Sequence, residues 1–244
     1  MNILLIGNSQ MGVCNLPQML RLMSESAPDS HPRLNIGQVV TGGASLKSHW
    51  EAGVSPDSPR GKIAAGGWDK VVIQEIFNAE PSDFETYALK FDGLIREAGA
   101  RAALFATANV TRYYNPAFDY PGSFERLNGM QLRLGKERGV TVAAGGFAWM
   151  RYWGTNPSDQ QMLDLYHPDK GHPGKKGTYI YACLLYAVLT GESPSGLIRS
   201  FPDIPGGDIS AEEAARMQKA AWNQFNADSP EGGLCQTTGN FYES

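Results

Sequence analysis

The first polar-to-apolar pattern in the chain is NILLI, Asn2–Ile6, in which four positions in a row are apolar. Successive strand residues point to opposite faces, so a run with no polar alternation predicts a strand covered on both sides. Similar runs recur at Leu34–Val40 (LNIGQVV), Asp69–Ile76 (DKVVIQEI), Ala102–Ala106 (AALFA) and Val140–Ala144 (VTVAA). Between them the period changes to three and four. Leu16, Met19, Leu20 and Met23 line one helix face, and Phe84, Tyr87, Ala88, Phe91 and Ile95 another, with Ser82 as its N-cap. A third helix is expected from Ser123 to about Arg138, with Phe124, Leu127, Gln131 and Leu134 on one side and Gly139 ending it. The pattern is irregular from Gly145 to Gly174. A strongly periodic helix then runs to about Thr190, with Ile180, Cys183, Leu184, Ala187 and Val188 inward and Gly191 closing it. Ser210 and Glu213 form a capping-box signature before a late helix, and an extended tail is expected from about Asp228.

Buried strands alternating with amphipathic helices predict an α/β fold: parallel strands with helices on both faces. The expected architecture is a flavodoxin-like three-layer α/β/α sandwich around a five-stranded parallel sheet of order 2-1-3-4-5. Residues 1–244 are read as one domain, with a core over about 2–190 and a C-terminal helix and tail over about 205–244. In such sheets ligands collect beyond the carboxyl ends of the strands. Three polar turns leave that edge: Gly7–Ser9, Thr41–Ser45 and Gln74–Asn78.

Composition narrows the partners. A net charge of −4 supplies no basic footprint, so neither nucleic acid nor an anionic membrane is an expected partner. No apolar run is long enough to span a bilayer, and no signal-peptide pattern opens the chain. A cytoplasmic protein is expected, or one whose leader has been removed. Cys14, Cys183 and Cys235 have no CxxC spacing, which argues against a disulfide framework or a zinc site. Cys183 is expected in the core and Cys14 buried near the Ser9 turn. No His/Cys/carboxylate cluster has ligand spacing, so no metal and no cofactor is expected. Nothing in the pattern bears on oligomeric state.

Ser9 follows a strand and precedes a helix. Its hydroxyl would leave the sheet edge, and its N–H, beside the first helical amides, could face a developing oxyanion. A serine here also serves simply as a helix cap. As a nucleophile it needs a base and an orienting group. Of the four histidines, His31 is expected on the surface, and His49 either packs its ring behind the second turn or rims a pocket. The other two lie in LDLYHPDKGHPGKKG, which holds two carboxylate–His pairs at one spacing, Asp164–His167 and Asp169–His172. The second pair leads directly into the strong helix, which would fix the direction of His172. On that ground Asp169 and His172 are preferred, with His167 as a surface residue.

GNSQ, TGGASL, VVIQEIFN and DKGHPGKKG, in this order, resemble the SGNH (GDSL-like) hydrolases over roughly residues 2–190. The resemblance implies a serine esterase with a Ser9–His172–Asp169 triad. It also implies an oxyanion hole from the N–H groups of Ser9 and Gly43 and an amide on the third motif. That amide is Asn78 by spacing, with Gln74 as rival at the strand edge. The chain departs from the family at Asn8, where GDS has Asp, and at Ile76 and Ala79 in the third motif. The implied partner is a small-molecule ester, with an acylated sugar among the options. Trp50, Tyr113, Tyr114, Trp149, Tyr152 and Trp153 are candidates for a sugar-stacking rim, although Trp149 and Trp153, four apart, read more simply as a helix face on the core. Glu75 is expected to bond nearby turns, and Arg112 could bind an anion. A non-catalytic ligand-binding module or an acyltransferase on the same fold are the alternatives. A phosphate loop is disfavoured, because Gly7-x-x-x-x-Gly12 lacks the Lys-Ser/Thr that follows.

Overall fold

Alternation within the central strands separates two apolar layers. Ile3, Leu5, Val72, Ala103 and Phe105 face one side, and Leu4, Ile6, Val71, Ile73 and Leu104 face the other. The structure is a computed structural model and describes residues 1–108, 110–111, 115 and 117–228. Its strands are β1 (Asn2–Gly7), β2 (Asn35–Val40), β3 (Lys70–Gln74), β4 (Arg101–Ala106) and β5 (Thr141–Ala144). All pair in parallel, in the order β2-β1-β3-β4-β5 expected from the sequence. Parallel pairing demands a crossover after every strand, and the helices supply it.

The first layer is built by α2 (Leu16–Ser26), α7 (Gly145–Trp153), α9 (Lys175–Thr190) and α10 (Ala211–Asp228). On the opposite face lie α3 (Leu46–Glu51), α4 (Pro59–Ala64) and α5 (Pro81–Glu97), while α6 (Gly122–Arg138) sends Phe124 to one cluster and Leu134 to the other. Two short helices complete the described chain, α1 (Ser9–Gly12) and α8 (Asp159–Leu163). α9 is buried all round, from Gly177 to Leu189. A helix without a polar face needs cover on its outer side, and α10 provides it. The α10 start carries the expected reciprocal cap, with Glu213 N–H on Ser210 Oγ at 3.2 Å and Ser210 N–H on the Glu213 carboxylate at 3.3 Å.

Three local expectations are corrected. The stretch after β5, expected to be irregular, forms α7, with Phe147, Trp149 and Trp153 buried. Its apolar residues surround the helix, so no one-sided stripe marks it. Ser82 is not the cap of α5. Glu80 holds that position without a side-chain bond, and Pro81, whose fixed φ suits the first helical position, follows it. His31 is half-buried rather than solvated, with Nδ1 2.7 Å from the Tyr186 hydroxyl. Arg112, Tyr113, Tyr114, Cys235 and the expected tail beyond Asp228 lie outside the described residues. Among the described residues no helix is long and apolar enough to cross a membrane.

Tyr181 of α9 connects this core to the carboxyl edge of the sheet. Its ring stacks on Trp149 with centroids 5.0 Å apart, and its hydroxyl accepts the Ala108 N–H at 2.6 Å. Ala108 and Tyr181 are both buried, so loss of the hydroxyl would strand a backbone donor. Tyr181→Phe is therefore expected to destabilise the protein by about 1–3 kcal/mol. Urea denaturation would show this as a lower midpoint with an unchanged slope.

Candidate active site

β1 ends where two strand termini nearly touch. A Cβ on Gly7 would stand 2.7 Å from Gln74 Oε1 and 2.8 Å from Met11 Sδ, so the position needs a glycine. The space admits the Gln74 side chain, whose Oε1 accepts the Asn8 N–H at 2.9 Å. Asn8 then caps α1: its Oδ1 accepts the Gln10 N–H at 3.0 Å, and its Nδ2 donates to the Ala44 carbonyl at 2.9 Å. Ser9 follows as the first residue of α1.

The second turn is held against the first. Glu75, 2 % exposed, accepts the N–H groups of Leu46 at 3.0 Å and Ile76 at 2.7 Å, as expected of a residue that bonds nearby turns. Burial nevertheless pushes its carboxyl up from the ordinary range. His49 packs its ring rather than rimming the cleft; its Nε2–H donates to the Gly7 carbonyl at 2.9 Å, and burial lowers its basicity. Gly43 has φ +70°, a left-handed conformation that favours glycine. Among the described residues, the N–H groups of Ser9 and Gly43 have no hydrogen-bond partner.

The histidine-bearing loop brings its own pair together. Asp169 Oδ2 accepts from His172 Nδ1–H at 2.8 Å, and His172 Nε2 lies 2.9 Å from Ser9 Oγ. Asp169 Oδ1 accepts the N–H groups of Gly171 at 2.9 Å and His172 at 3.0 Å. Lys170 takes a left-handed backbone, φ 61°, between them. Partial burial works against the Asp169 charge, but the bonds from Gly171 and His172 outweigh it and hold the carboxyl at about 2. Two longer-range bonds dock this loop: Gln10 Nε2 donates to the Gly171 carbonyl at 2.9 Å, and Thr111 Oγ1 to that of Lys170 at 2.7 Å. The other candidate pair does not form, because the Asp164 carboxylate binds Lys176 Nζ at 2.8 Å.

Ser9, Gly43 and His172 line a cleft of about 350 Å³, open mouth included, together with apolar Ile76, Phe77 and Val110. Neither amide expected to complete an oxyanion hole lines it. Gln74 is fully buried with its Oε1 on Asn8 and its Nε2 on the Glu75 carbonyl, and Asn78 is exposed in the turn beyond. The aromatic rim is absent too at its described positions. Trp149 and Trp153 are core, Tyr152 packs against Arg216, and Trp50 lies under Arg60 and beside Phe91. Cys14 is buried, and burial pushes its thiol up. Among the described residues no group of His, Cys, Asp and Glu is arranged to hold a metal ion. Gln10, Thr111, Phe77 and Val110 were not singled out in the sequence, and Ile76 only as a departure from the third motif. The one available signal for Gln10 was a polar side chain immediately before buried Met11.

No family profile matches the sequence, and no curated protein matches it. Solved structures do. A candidate SGNH hydrolase from Slackia heliotrinireducens aligns at 20 % identity over 79 % of this chain and 99 % of that one, with TM-score 0.58. The acetyl xylan esterase AlAXEase aligns at 12 % identity over 78 % of this chain and 100 % of that one, with TM-score 0.59. Axe2, an acetyl-xylooligosaccharide esterase from Geobacillus, aligns at 12 % identity over 74 % of this chain and 90 % of that one, with TM-score 0.51. The chain has the fold of the SGNH hydrolases.

The Asp169 carboxyl supplies a pH test. Its folded value lies below the ordinary value near 4, so it contributes stability that is complete above that value and lost as pH falls through about 2. The Asp169 side-chain carbon signal, followed by NMR, is expected to titrate with a midpoint near 2, accompanied by the N–H signals of Gly171 and His172. A midpoint near 4 would show that the loop does not hold the carboxylate.

Proposed function

We propose that the chain is a serine esterase of the SGNH type acting on short acyl esters. The observation that carries this reading is the unbroken line of hydrogen bonds from Asp169 through His172 to Ser9, opening on the cleft. Ser9 Oγ attacks the ester carbonyl while His172 Nε2 takes its proton. Asp169 holds the ring with Nδ1 protonated and stabilises the imidazolium. The N–H groups of Ser9 and Gly43 receive the tetrahedral oxygen. His172 then protonates the departing alcohol, and water, activated by the same ring, releases the acid from the acyl-enzyme.

The small cleft and its Ile76, Phe77 and Val110 walls suit a short apolar acyl group. The names of two structural neighbours, an acetyl xylan esterase and an acetyl-xylooligosaccharide esterase, make acetylated sugars the alcohol class to try first. Hydrolysis needs no cofactor in this scheme.

Ser9→Ala and His172→Ala are each expected to lower kcat on acetyl esters by roughly 10⁴-fold or more, with thermal unfolding unchanged. A fluorophosphonate should label wild-type protein at Ser9, as read by peptide mass spectrometry. Hydrolysis that survives Ser9→Ala, or labelling at another residue, would remove the reading.

Removing a donor from an oxyanion hole costs roughly 10²–10³ in turnover. Since Asn78 is exposed and outside the cleft wall, Asn78→Ala is expected to fall far short of that loss. A loss of about 10²-fold would return Asn78 to the oxyanion site.

A further inference from the structure

Asp169 Oδ2 is approached by two imidazoles. His172 Nδ1 stands 2.8 Å away and His167 Nδ1 3.0 Å away. We infer that His167 is a positioning residue, which fixes the Asp169 carboxylate that in turn orients His172. The inference rests on the esterase reading given above.

A carboxylate offers about four acceptor positions. In Asp169 two on Oδ1 are filled by the N–H groups of Gly171 and His172, and two on Oδ2 by the rings of His172 and His167. The side chain of Asp169 is 38 % exposed, so a position left open would be taken by water. The two rings belong to residues that face each other across the loop. His167 N–H donates to the His172 carbonyl at 2.8 Å, Lys170 N–H donates to the His167 carbonyl at 2.8 Å, and Tyr166 bridges Pro173. One ring of the pair turns toward Ser9. The other, 39 % exposed against 21 % for His172, covers the solvent side of the carboxylate. The contact needs the proton on His167 Nδ1; without it the bare nitrogen would turn its lone pair on Oδ2, with the Asp169 N–H, 3.4 Å away, as its other partner. His167 does not line the cleft, and its contribution therefore falls on the chemical step and not on substrate binding.

The Asn side-chain amide places its nitrogen where imidazole Nδ1 lies, whereas the Gln amide reaches to the Nε2 position. His167→Ala and His167→Gln are expected to lower kcat on an acetyl ester about three- to tenfold at constant KM, the worth of one ordinary hydrogen bond. His167→Asn should restore most of the loss. Active sites are counted by fluorophosphonate labelling of Ser9, so misfolded protein does not enter kcat. In resting protein, the His172 Nδ1–H proton, identified by its coupling to ring nitrogen, should shift in the Ala and Gln variants and return in Asn. Unchanged kcat together with an unshifted His172 signal, a change in KM alone, or an Asn variant no better than Gln would each overturn the assignment. If wild-type protein neither labels nor hydrolyses esters, the esterase reading fails, and the His172 signal still decides whether His167 positions the pair.

Discussion

The hydrogen bond from the Asn8 N–H to Gln74 Oε1 fixes the turn that carries Ser9, and it depends on the missing side chain of Gly7. β1 and β3 run in parallel with Ile6 opposite Ile73, so their next residues, Gly7 and Gln74, meet at the sheet edge. A fully buried amide must find partners on both ends or cost about 1–3 kcal/mol. Gln74 finds them on Asn8 and on the Glu75 carbonyl. From there the bonds pass along three loops. Asn8 reaches Ala44, Glu75 reaches Leu46, and His49 returns to Gly7. The carboxyl edge of the sheet is thus one polar network, within which, among the described residues, the Ser9 and Gly43 N–H groups are left over.

The replacement of Asp by Asn in the first motif follows from that network. Asn8 is 1 % exposed and must both accept from Gln10 and donate to Ala44. An ionised carboxylate only accepts, so Asp in its place would leave the Ala44 carbonyl without its donor. A neutral side chain also places no negative charge beside the N–H group that is proposed to receive the oxyanion. In this chain the amide is the side chain that its neighbours require.

The sheet was legible because parallel burial writes itself as unbroken apolar runs, and NILLI and AALFA are such runs. The Asp169–His172 contact was legible for a different reason: three residues and one tight loop contain it. What the sequence concealed depends on the meeting of distant segments. Gln74 had the polarity of an oxyanion donor, and only the register of β1 against β3 turns it inward. Trp149 and Trp153 are the exception: their four-residue spacing read most simply as a helix face on the core, and there they lie, against Tyr181 and Phe124. Asp164 and His167 had the spacing of a pair, and Lys176, the second residue of α9, draws the carboxylate away.

The geometry of the proposed site divides between local and long-range causes. Within the 167–173 loop, short-range bonds set the angle of His172 to Asp169 and require the left-handed Lys170, a conformation costing about 1 kcal/mol or more in an ordinary residue. The distance from His172 to Ser9 is set elsewhere, by Gln10 from the Ser9 turn and Thr111 from the loop after β4. Both side chains hold backbone carbonyls, of Gly171 and Lys170, and so grip the loop without touching its reactive groups. A rigid loop gripped at two carbonyls can be moved as a body without disturbing the acid–base pair it carries. Such an arrangement holds the Asp169–His172 contact independently of the distance from His172 to Ser9.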